Sequence, residues 1–304
     1  MEMTVEPQCP TCSSSETVRL GKLPDSNLFA GVFLDHVLAG GSLYRCGGCY
    51  LKFRHPVDTP TAYEALYDNQ ETLAWPADIE RPDWERVVEY LSSNRPNGRI
   101  LDFGCYTGGL LARLGDSFER YGVEINRAAA SEASKVSGNP TFSSIEEIPP
   151  ELRFDVVVAC DVIEHMTNPI ETIRQLGALL SENGALILTT GDGENRLWNR
   201  FGANWWYCFF PEHISFISER WLKHNAKTLS LSPVHSETFR YCKLNPVARP
   251  VHVALTYFYG WFPDLYLKLR RSVDKRRGRQ GTTSVTGVGV SEDHLFAVLE
   301  LAGD

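Results

Sequence analysis

The stretch that decides the fold is Leu101-Asp102-Phe103-Gly104-Cys105-Tyr106-Thr107-Gly108-Gly109, which is followed by Tyr121-Gly122-Val123-Glu124. The first stretch is typical of a buried strand that runs into a glycine-rich turn. The second is typical of another strand end, and it closes on a single acid. Asp102 and Glu124 lie 22 residues apart, which is enough for one helix and one strand. The spacing therefore predicts neighbouring parallel strands joined by a helix.

From residue 99 onward, strand and helix patterns alternate. The predicted strands are 99–103, 120–124, 140–143, 154–159, 184–190, 233–241 and 293–301, and the predicted helices are 107–115, 126–137, 169–181 and one that begins after Ser218. Alternation of this kind predicts an α/β fold with helices on both faces of a mostly parallel sheet. The last two strands are about 50 residues apart, which is too long for a plain loop. We therefore expect an insertion at 243–290.

Composition limits the class of protein. The chain has 304 residues, of which 43% are hydrophobic and 22% charged, as expected for a globular protein with one large domain and an appendage. Its net charge of −8 argues against a general nucleic-acid surface. Neither a signal peptide nor a run of about 20 apolar residues is evident, so we expect a cytoplasmic protein with reduced thiols.

Four of the eight cysteines form two Cys-x-x-Cys pairs, namely Cys9, Cys12, Cys46 and Cys49. Four thiolates at this spacing predict a closed, tetrahedral and structural Zn²⁺ site. A remnant ribbon without metal, or an iron site, is the alternative. So short a module would need the metal for its stability. We expect a zinc-ribbon module over 1–58, a connecting helical segment over 59–98 and the main domain over 99–304.

The glycine-rich turn and its flanking acids suit a nucleoside ligand. Gly104 and Gly108 let backbone amides approach closely, and Glu124 can accept both ribose hydroxyls. A helix beginning near Thr107 would direct its positive end at a ligand carboxylate, while Asp102 could hold an ammonium group. The full set of predicted cofactor contacts is Asp102, Gly104, Cys105, Tyr106, Thr107, Gly108, Glu124, Ile125 and Asp161.

A second polar cluster follows the apolar strand that begins at Phe154. The strand closes on Asp161-Val162-Ile163-Glu164-His165. Ligands of open α/β sheets bind at the carboxyl ends of the strands. Asp161, Glu164 and His165 are therefore expected to face the reacting group.

Residues 99–190 resemble class I S-adenosylmethionine (SAM)-dependent methyltransferases. The resemblance implies a Rossmann-like seven-stranded sheet of order 3-2-1-4-5-7-6, with strand seven antiparallel and SAM as cofactor. Tyr106 stands where the family's Gly-x-Gly-x-Gly pattern has its middle glycine. Its ring is expected over the methionine chain of SAM or across the site, where it would obstruct SAM.

Three further stretches are similar to a narrower group of the same family. They are the cysteine module with Phe53-Arg54-His55-Pro56, the run through Tyr63, Leu66 and Tyr67, and Trp205-Trp206-Tyr207-Cys208-Phe209-Phe210-Pro211-Glu212-His213-Ile214-Ser215-Phe216-Ile217-Ser218. That group includes C- and O-methyltransferases acting on deoxysugars and cell-surface glycans. The resemblance implies methyl transfer to a sugar hydroxyl of a nucleotide-linked or lipid-linked glycan. Aromatic residues between Trp198 and Phe210 either stack on sugar faces or belong to the core.

Methyl transfer to a hydroxyl is helped by a general base, and His165 and His213 are the candidates, with Glu164 beside the first. In a second mechanism, Asp161, Glu164, His165 and His213 bind one divalent metal, as in the Glu-x-x-Glu-His arrangement of some metal-dependent O-methyltransferases. Two further alternatives stay open: a phenolic or lipid-like acceptor, and a non-catalytic scaffold on this fold whose site Tyr106 closes.

Two apolar segments each have two interpretations. The run Leu28–Leu34 either packs against the main domain or forms a wall of the acceptor pocket. The insertion 243–290 carries an aromatic stretch over 253–262 and then a basic one, which includes Lys268, Arg270, Arg271 and Lys275. It is expected to be a lid packed on the domain or a peripheral anchor at the inner face of the membrane.

Overall fold

The computed structural model describes residues 7–68, 81–242, 244–276 and 288–302. The N-terminal part contains β1 (Thr17–Lys22), β2 (Ser26–Phe29), β3 (Val32–Leu38), β4 (Ser42–Cys46) and β5 (Lys52–His55). Two helices follow, α1 (Pro60–Asp68) and α2 (Pro82–Asn94). The predicted division at residues 58 and 98 remains a prediction, and residues 69–80 of the connecting segment lie outside the described residues.

The rest of the chain supplies the main sheet and its helices. In chain order these elements are β6 (Gly98–Phe103), β7 (Phe118–Val123), α3 (Arg127–Ser137), β8 (Thr141–Phe142), β9 (Phe154–Cys160), α4 (Pro169–Ala178), β10 (Leu180–Gly191), α5 (Arg196–Phe201), β11 (Ser215–Phe216), α6 (Glu219–Leu229), β12 (Leu231–Phe239), α7 (Arg249–Trp261), α8 (Pro263–Arg276) and β13 (His294–Leu301).

Seven strands form the main sheet in the order β8-β7-β6-β9-β10-β13-β12. Strands β6 to β10 pair in parallel, whereas β13 is antiparallel to both β10 and β12. Counted along this sheet, the order is 3-2-1-4-5-7-6 with an antiparallel seventh strand. The predicted Rossmann-like methyltransferase fold is confirmed, including the helical insertion between the last two strands.

The sheet is buried on both faces, because successive side chains along each strand point into two different hydrophobic clusters. Leu101 and Val157 pack on one face with Trp221 of α6, whereas Ile100 and Val156 pack on the other. Two helices begin at capping residues: the side chain of Asn168 accepts a hydrogen bond from the Glu171 amide, and that of Ser218 accepts one from the Trp221 amide. Because β6 to β10 run parallel, their carboxyl ends lie together at one edge of the sheet.

The predicted helix over 107–115 is wrong. The chain forms turns there and a single 3-10 turn, Leu111–Arg113. Gly108 adopts a φ of +82°, which interrupts a right-handed helix, and a Cβ at Gly109 would lie 2.3 Å from Cη2 of Trp84. No α-helix N-terminus therefore points from Thr107 at the expected position of the ligand carboxylate.

The cysteine module shares a sheet with the main domain. Its four strands have the order β1-β4-β5-β11, and β11 comes from the segment that follows His213. Strand β11 pairs antiparallel with β5, so that Ser215 lies opposite Phe53 and Phe216 opposite Lys52. The module is therefore joined to the main domain by backbone hydrogen bonds as well as by side chains.

The insertion forms the helical pair α7 and α8. One face of α7 packs on α5, because the Tyr257 ring lies 5.4 Å from that of Phe201 and Gly260 abuts the same ring. The helical pair also carries exposed apolar side chains, namely Val251, Trp261, Phe262, Leu265, Leu269 and Val273. None of the described helices is both long and apolar enough to span a bilayer. Peripheral membrane contact remains a prediction, and residues 277–287 of the basic segment lie outside the described residues.

Candidate active site

The carboxyl ends of β6, β7 and β9 bring Asp102, Glu124 and Asp161 to one edge of the sheet. Gly104 begins the turn after β6 with a φ of +79°, and a Cβ there would lie 2.6 Å from Cγ2 of Val162. Only glycine fits both the conformation and the space. The glycine is thus required where a ligand would approach the backbone.

Glu124 joins the glycine-rich turn to the end of β7. Its Oε2 accepts a hydrogen bond from the Tyr106 amide at 2.9 Å, and its Oε1 accepts one from the Asn126 amide at 2.8 Å. Burial raises the pKa of Glu124, and these amides oppose the rise. Tyr106 has a φ of +48°, so it adopts the left-handed conformation that a glycine takes readily. The hydrogen bond to Glu124 helps to stabilise this strained turn.

The other predicted residues of the turn have different environments. Cys105 is buried, and its Sγ lies so close to Gly122 that a Cβ there would be 2.5 Å away. Its side chain therefore packs on β7, and its backbone is engaged as well, because its amide donates to the Val123 carbonyl and its carbonyl accepts from the Gly108 amide. Thr107 is buried, Ile125 is half-buried after β7, and Gly108 packs against Ala133 and Val136 of α3.

Arg81 is a charged neighbour of the site that the sequence interpretation missed. Its Nη2 donates to Oδ2 of Asp161 at 2.8 Å, and its Nε donates to Oδ1 of Asp83 at 3.1 Å. Burial raises the pKa values of Asp102 and Asp161 to about 7, although the charge of Arg81 acts in the opposite direction. Its place immediately before Pro82, where α2 begins, is the signal that could have indicated a role.

The raised pKa of Asp102 predicts pH-dependent cofactor binding. If Asp102 holds the ammonium group of the cofactor, its ionised form binds, and this form predominates above pH 7. The affinity for S-adenosylhomocysteine (SAH) should therefore rise by about tenfold from pH 6 to pH 8. Calorimetric titrations at both pH values measure the change, and Asp102→Asn should remove it. An equal pH dependence in that variant would exclude Asp102 as the source.

Glu164 lies fully buried beneath the polar cluster, in the 3-10 turn Ile163–His165. Its Oε2 accepts a hydrogen bond from Oγ1 of Thr190 at 2.9 Å, and its Oε1 accepts one from the hydroxyl of Tyr207. Burial raises its pKa, and these hydrogen bonds act against the rise. Two hydroxyl donors thus orient this carboxylate toward the histidines.

The structure brings the predicted histidines together, with ring centroids 5.0 Å apart. Nδ1 of His213 lies 2.9 Å from the carbonyl oxygen of Tyr207, which can only accept, so Nδ1 is the donor. Nε2 of a neutral His213 consequently keeps its lone pair. Nδ1 of His165 lies 3.0 Å from the hydroxyl of Tyr67. Burial lowers the pKa of both imidazoles, that of His213 strongly.

The run Leu28–Leu34 reaches the side of this cluster. The Phe29 ring lies 4.9 Å from that of Tyr67, and the Ala30 amide donates to Oε1 of Glu212 at 2.9 Å. Tyr67 and Glu212 lie in stretches that carried the resemblance, but no individual role was predicted for them. The spacing of Tyr63 and Tyr67, which places them on one helix face, is the signal that pointed to Tyr67. The β2–β3 hairpin therefore packs against the residues that surround the histidines.

The four predicted metal-ligating cysteines also lie together. Sγ of Cys9 is 3.5 Å from that of Cys49, and Sγ of Cys12 is 3.5 Å from that of Cys46. A tetrahedral zinc site with Zn–S bonds of about 2.3 Å needs sulfur pairs about 3.8 Å apart. All four sulfurs lie within 4.8 Å of one another, so the donor set fits a zinc ion. Glu164, His165 and His213 form a second group within the same limit, and Asp161 is not part of it.

Comparison with known proteins shows the family to which this chain belongs. A family model described as a methyltransferase domain matches residues 77–236, just over half of the chain. The chain belongs to this family. The match covers the glycine-rich turn, Glu124, the 161–165 segment and His213.

Two curated relatives are O-methyltransferases. The ubiquinone biosynthesis O-methyltransferase of Rhodopseudomonas palustris (strain HaA2) is 34% identical over 114 residues, which are 34% of this chain and 42% of that protein. The malonyl-[acyl-carrier protein] O-methyltransferase of Halalkalibacterium halodurans is 30% identical over 129 residues, 37% of this chain and 48% of that protein. The chain thus spans less than half the length of these relatives.

Among solved structures, the magnesium protoporphyrin IX methyltransferase of Synechocystis PCC 6803 with bound SAH superposes with a TM-score of 0.44 at 15% identity. The superposition covers 71% of this chain and 81% of that chain.

Proposed function

We propose that this methyltransferase transfers the methyl group of SAM to a hydroxyl of a small-molecule acceptor, with His213 as the general base. The observation that carries the proposal is the contact of His213 Nδ1 with the Tyr207 carbonyl, which leaves Nε2 free to accept a proton. Burial lowers the pKa of His213 well below its usual range, so the ring is neutral at pH 7. General bases of this kind contribute about 10²–10⁴-fold to rate.

The remaining roles follow from position at the sheet edge. SAM supplies the activated methyl group. In the proposal, Asp102 binds its ammonium group, Glu124 its ribose hydroxyls, and Gly104 and Gly108 admit it to the backbone. Alignment of the acceptor oxygen with the methyl carbon supplies much of the rate enhancement.

The specific acceptor that we propose is a sugar hydroxyl of a nucleotide-linked or lipid-linked glycan. Tyr67, His165, His213 and Glu212 offer several hydrogen-bonding groups to an acceptor with several hydroxyls. Among the described residues, Oε2 of the buried Glu212 has no hydrogen-bond partner, so this oxygen can accept one from the acceptor. Stacking by the aromatic run has less support, because Trp198, Trp205, Trp206 and Tyr207 are buried in the core and Phe209 and Phe210 are only partly exposed.

A phenolic acceptor, with or without a metal, is the second candidate. The R. palustris relative is named for ubiquinone biosynthesis, and Glu164, His165 and His213 offer a carboxylate and two imidazoles to a divalent cation. Such a cation would supply Lewis-acid activation of the acceptor hydroxyl. The hydrogen bonds of Glu164 with Tyr207 and Thr190 would orient that ligand.

Methylation assays separate these candidates. The full chain is incubated with SAM and either nucleotide sugars or catechols, with and without EDTA, and methylated products are measured by mass spectrometry. We expect methylated sugar nucleotides and unchanged turnover in EDTA, with the zinc content of the cysteine site verified. Methylation of catechols alone would refute the sugar acceptor. Activity that EDTA abolishes and Mn²⁺ or Mg²⁺ restores would refute the metal-free mechanism.

A further inference from the structure

The cysteine module contacts the same segment that carries His213. We propose that Arg54 of the module is a positioning residue for His213. In this proposal the module orders the acceptor side of the site, residues 207–216, independently of the cofactor side, residues 104–126. This inference rests on the proposed role of His213 as the base. It gives the cysteine site a function in catalysis without placing it at the reacting atoms.

Arg54 is buried, and its guanidinium binds three backbone carbonyls of one short loop. Its Nε donates to the carbonyl oxygen of His213 at 3.1 Å, and its Nη2 donates to those of Cys208 at 2.9 Å and Phe210 at 3.0 Å. A planar guanidinium holds such acceptors in a fixed relative geometry, which a lysine ammonium cannot reproduce. Arg54 therefore constrains the backbone between Cys208 and His213, directly after the Tyr207 carbonyl that orients the imidazole.

Other contacts between the module and this loop also hold the loop in place. The Arg54 amide donates to the Ile214 carbonyl at 2.8 Å, and the Ala30 amide donates to Glu212. Pairing of β5 with β11 continues the connection through Ser215 and Phe216. Residues 207–216 are thus held by backbone and side-chain groups of the N-terminal strands.

The cysteines fix the strands from which Arg54 projects. Cys46 is the last residue of β4, and Cys49 lies three residues before β5 begins. The Cys49 amide donates to Sγ of Cys46 at 3.4 Å, so the turn between the strands is built around the sulfurs. A metal bound by the four thiolates would lock this turn. Loss of a thiolate should therefore loosen β5 and, through Arg54, the His213 loop.

The cofactor side has its own supports. The Gly104 amide donates to the Val123 carbonyl at 2.9 Å, and Glu124 holds the Tyr106 and Asn126 amides. These contacts lie within residues 104–126 of the main domain. Perturbing Arg54 or a module cysteine should consequently leave the SAH site formed.

Hydrogen–deuterium exchange and SAH calorimetry on the full chain test this separation. The variants are Arg54→Met, Arg54→Lys and Cys12→Ser, since Cys12 is the exposed cysteine of the four. The matched control is Arg45→Met, which replaces an exposed arginine on the neighbouring β4. We expect exchange in peptides from 207–216 to accelerate about tenfold or more in Arg54→Met and Cys12→Ser, and less in Arg54→Lys. SAH affinity should stay within about twofold of wild type, because the cofactor side is independent.

Two results would overturn the inference. One is unchanged exchange of 207–216 in both Arg54→Met and Cys12→Ser. The other is faster exchange throughout the chain together with lost SAH binding in the milder Arg54→Lys, which would show a general folding role. Failure of the proposed function gives a different pattern. His213→Ala would then retain turnover, while Arg54→Met would still accelerate hydrogen–deuterium exchange in peptides from 207–216.

Discussion

Replacing His213 with alanine should lower the turnover number for methyl transfer by about 10²–10⁴-fold, the range of a lost general base. The acceptor hydroxyl would then lose its proton to water instead of to the oriented Nε2. SAH affinity should be unchanged, because the proposed cofactor contacts are Glu124 and the glycine-rich turn, which His213 does not belong to. Turnover measured with saturating SAM, together with SAH calorimetry, gives both quantities.

A histidine on the protein surface provides the control. His224 lies exposed on α6, so His224→Ala should keep wild-type turnover. Wild-type turnover in His213→Ala would remove His213 from the mechanism and leave His165, held by Tyr67, as the base. Equal losses of turnover and SAH binding in His213→Ala would instead indicate a damaged fold.

Replacing Glu124 with alanine should weaken SAH binding by about 10- to 150-fold, which corresponds to about 1.5–3 kcal/mol for hydrogen bonds to a charged group. Two losses combine in this variant. The ribose hydroxyls lose their proposed acceptor, and the Tyr106 amide loses the carboxylate that holds the left-handed turn. Calorimetric titration of SAH measures the change in dissociation constant.

Glu119 offers a matched comparison on the same strand. It is exposed on β7 and pairs with Arg99 at the surface, so Glu119→Ala should leave SAH affinity unchanged. Glu124→Gln keeps a side-chain carbonyl acceptor and should fall between alanine and wild type. An SAH affinity in Glu124→Ala equal to that of the Glu119 control would contradict the assignment of Glu124 to the ribose.

The alternation of strands and helices could be predicted because its signals are local, whereas the order of the strands in the sheet was implied by the resemblance to class I methyltransferases. An apolar strand, a turn and an acid at the strand end recur along the chain, and this recurrence predicts a mostly parallel sheet. The Cys-x-x-Cys spacing likewise predicted a cluster that the structure confirms geometrically. The error at 107–115 is also local: the positive φ of Gly108 interrupts a helix, and Gly109 packs closely against Trp84.

The supports of the candidate site could not be predicted in the same way. Arg54 and the His213 carbonyl are 159 residues apart, and Tyr67 and His165 are 98 apart. Arg81, which directly precedes α2, meets Asp161 because α2 and β9 pack in the same hydrophobic cluster. No periodicity or spacing in the sequence encodes such contacts, which depend on how finished elements pack. Sequence reasoning therefore identified candidate groups at the strand ends but not the residues that orient them.

The most direct test of the account is a calorimetric titration of SAH into the wild-type chain, with zinc content measured on the same sample. We expect one SAH bound per chain with micromolar affinity, and one zinc per chain at the four cysteines. A folded, zinc-loaded chain that binds no SAH at millimolar concentration would contradict the proposed cofactor site and would favour the scaffold alternative, in which Tyr106 closes the site.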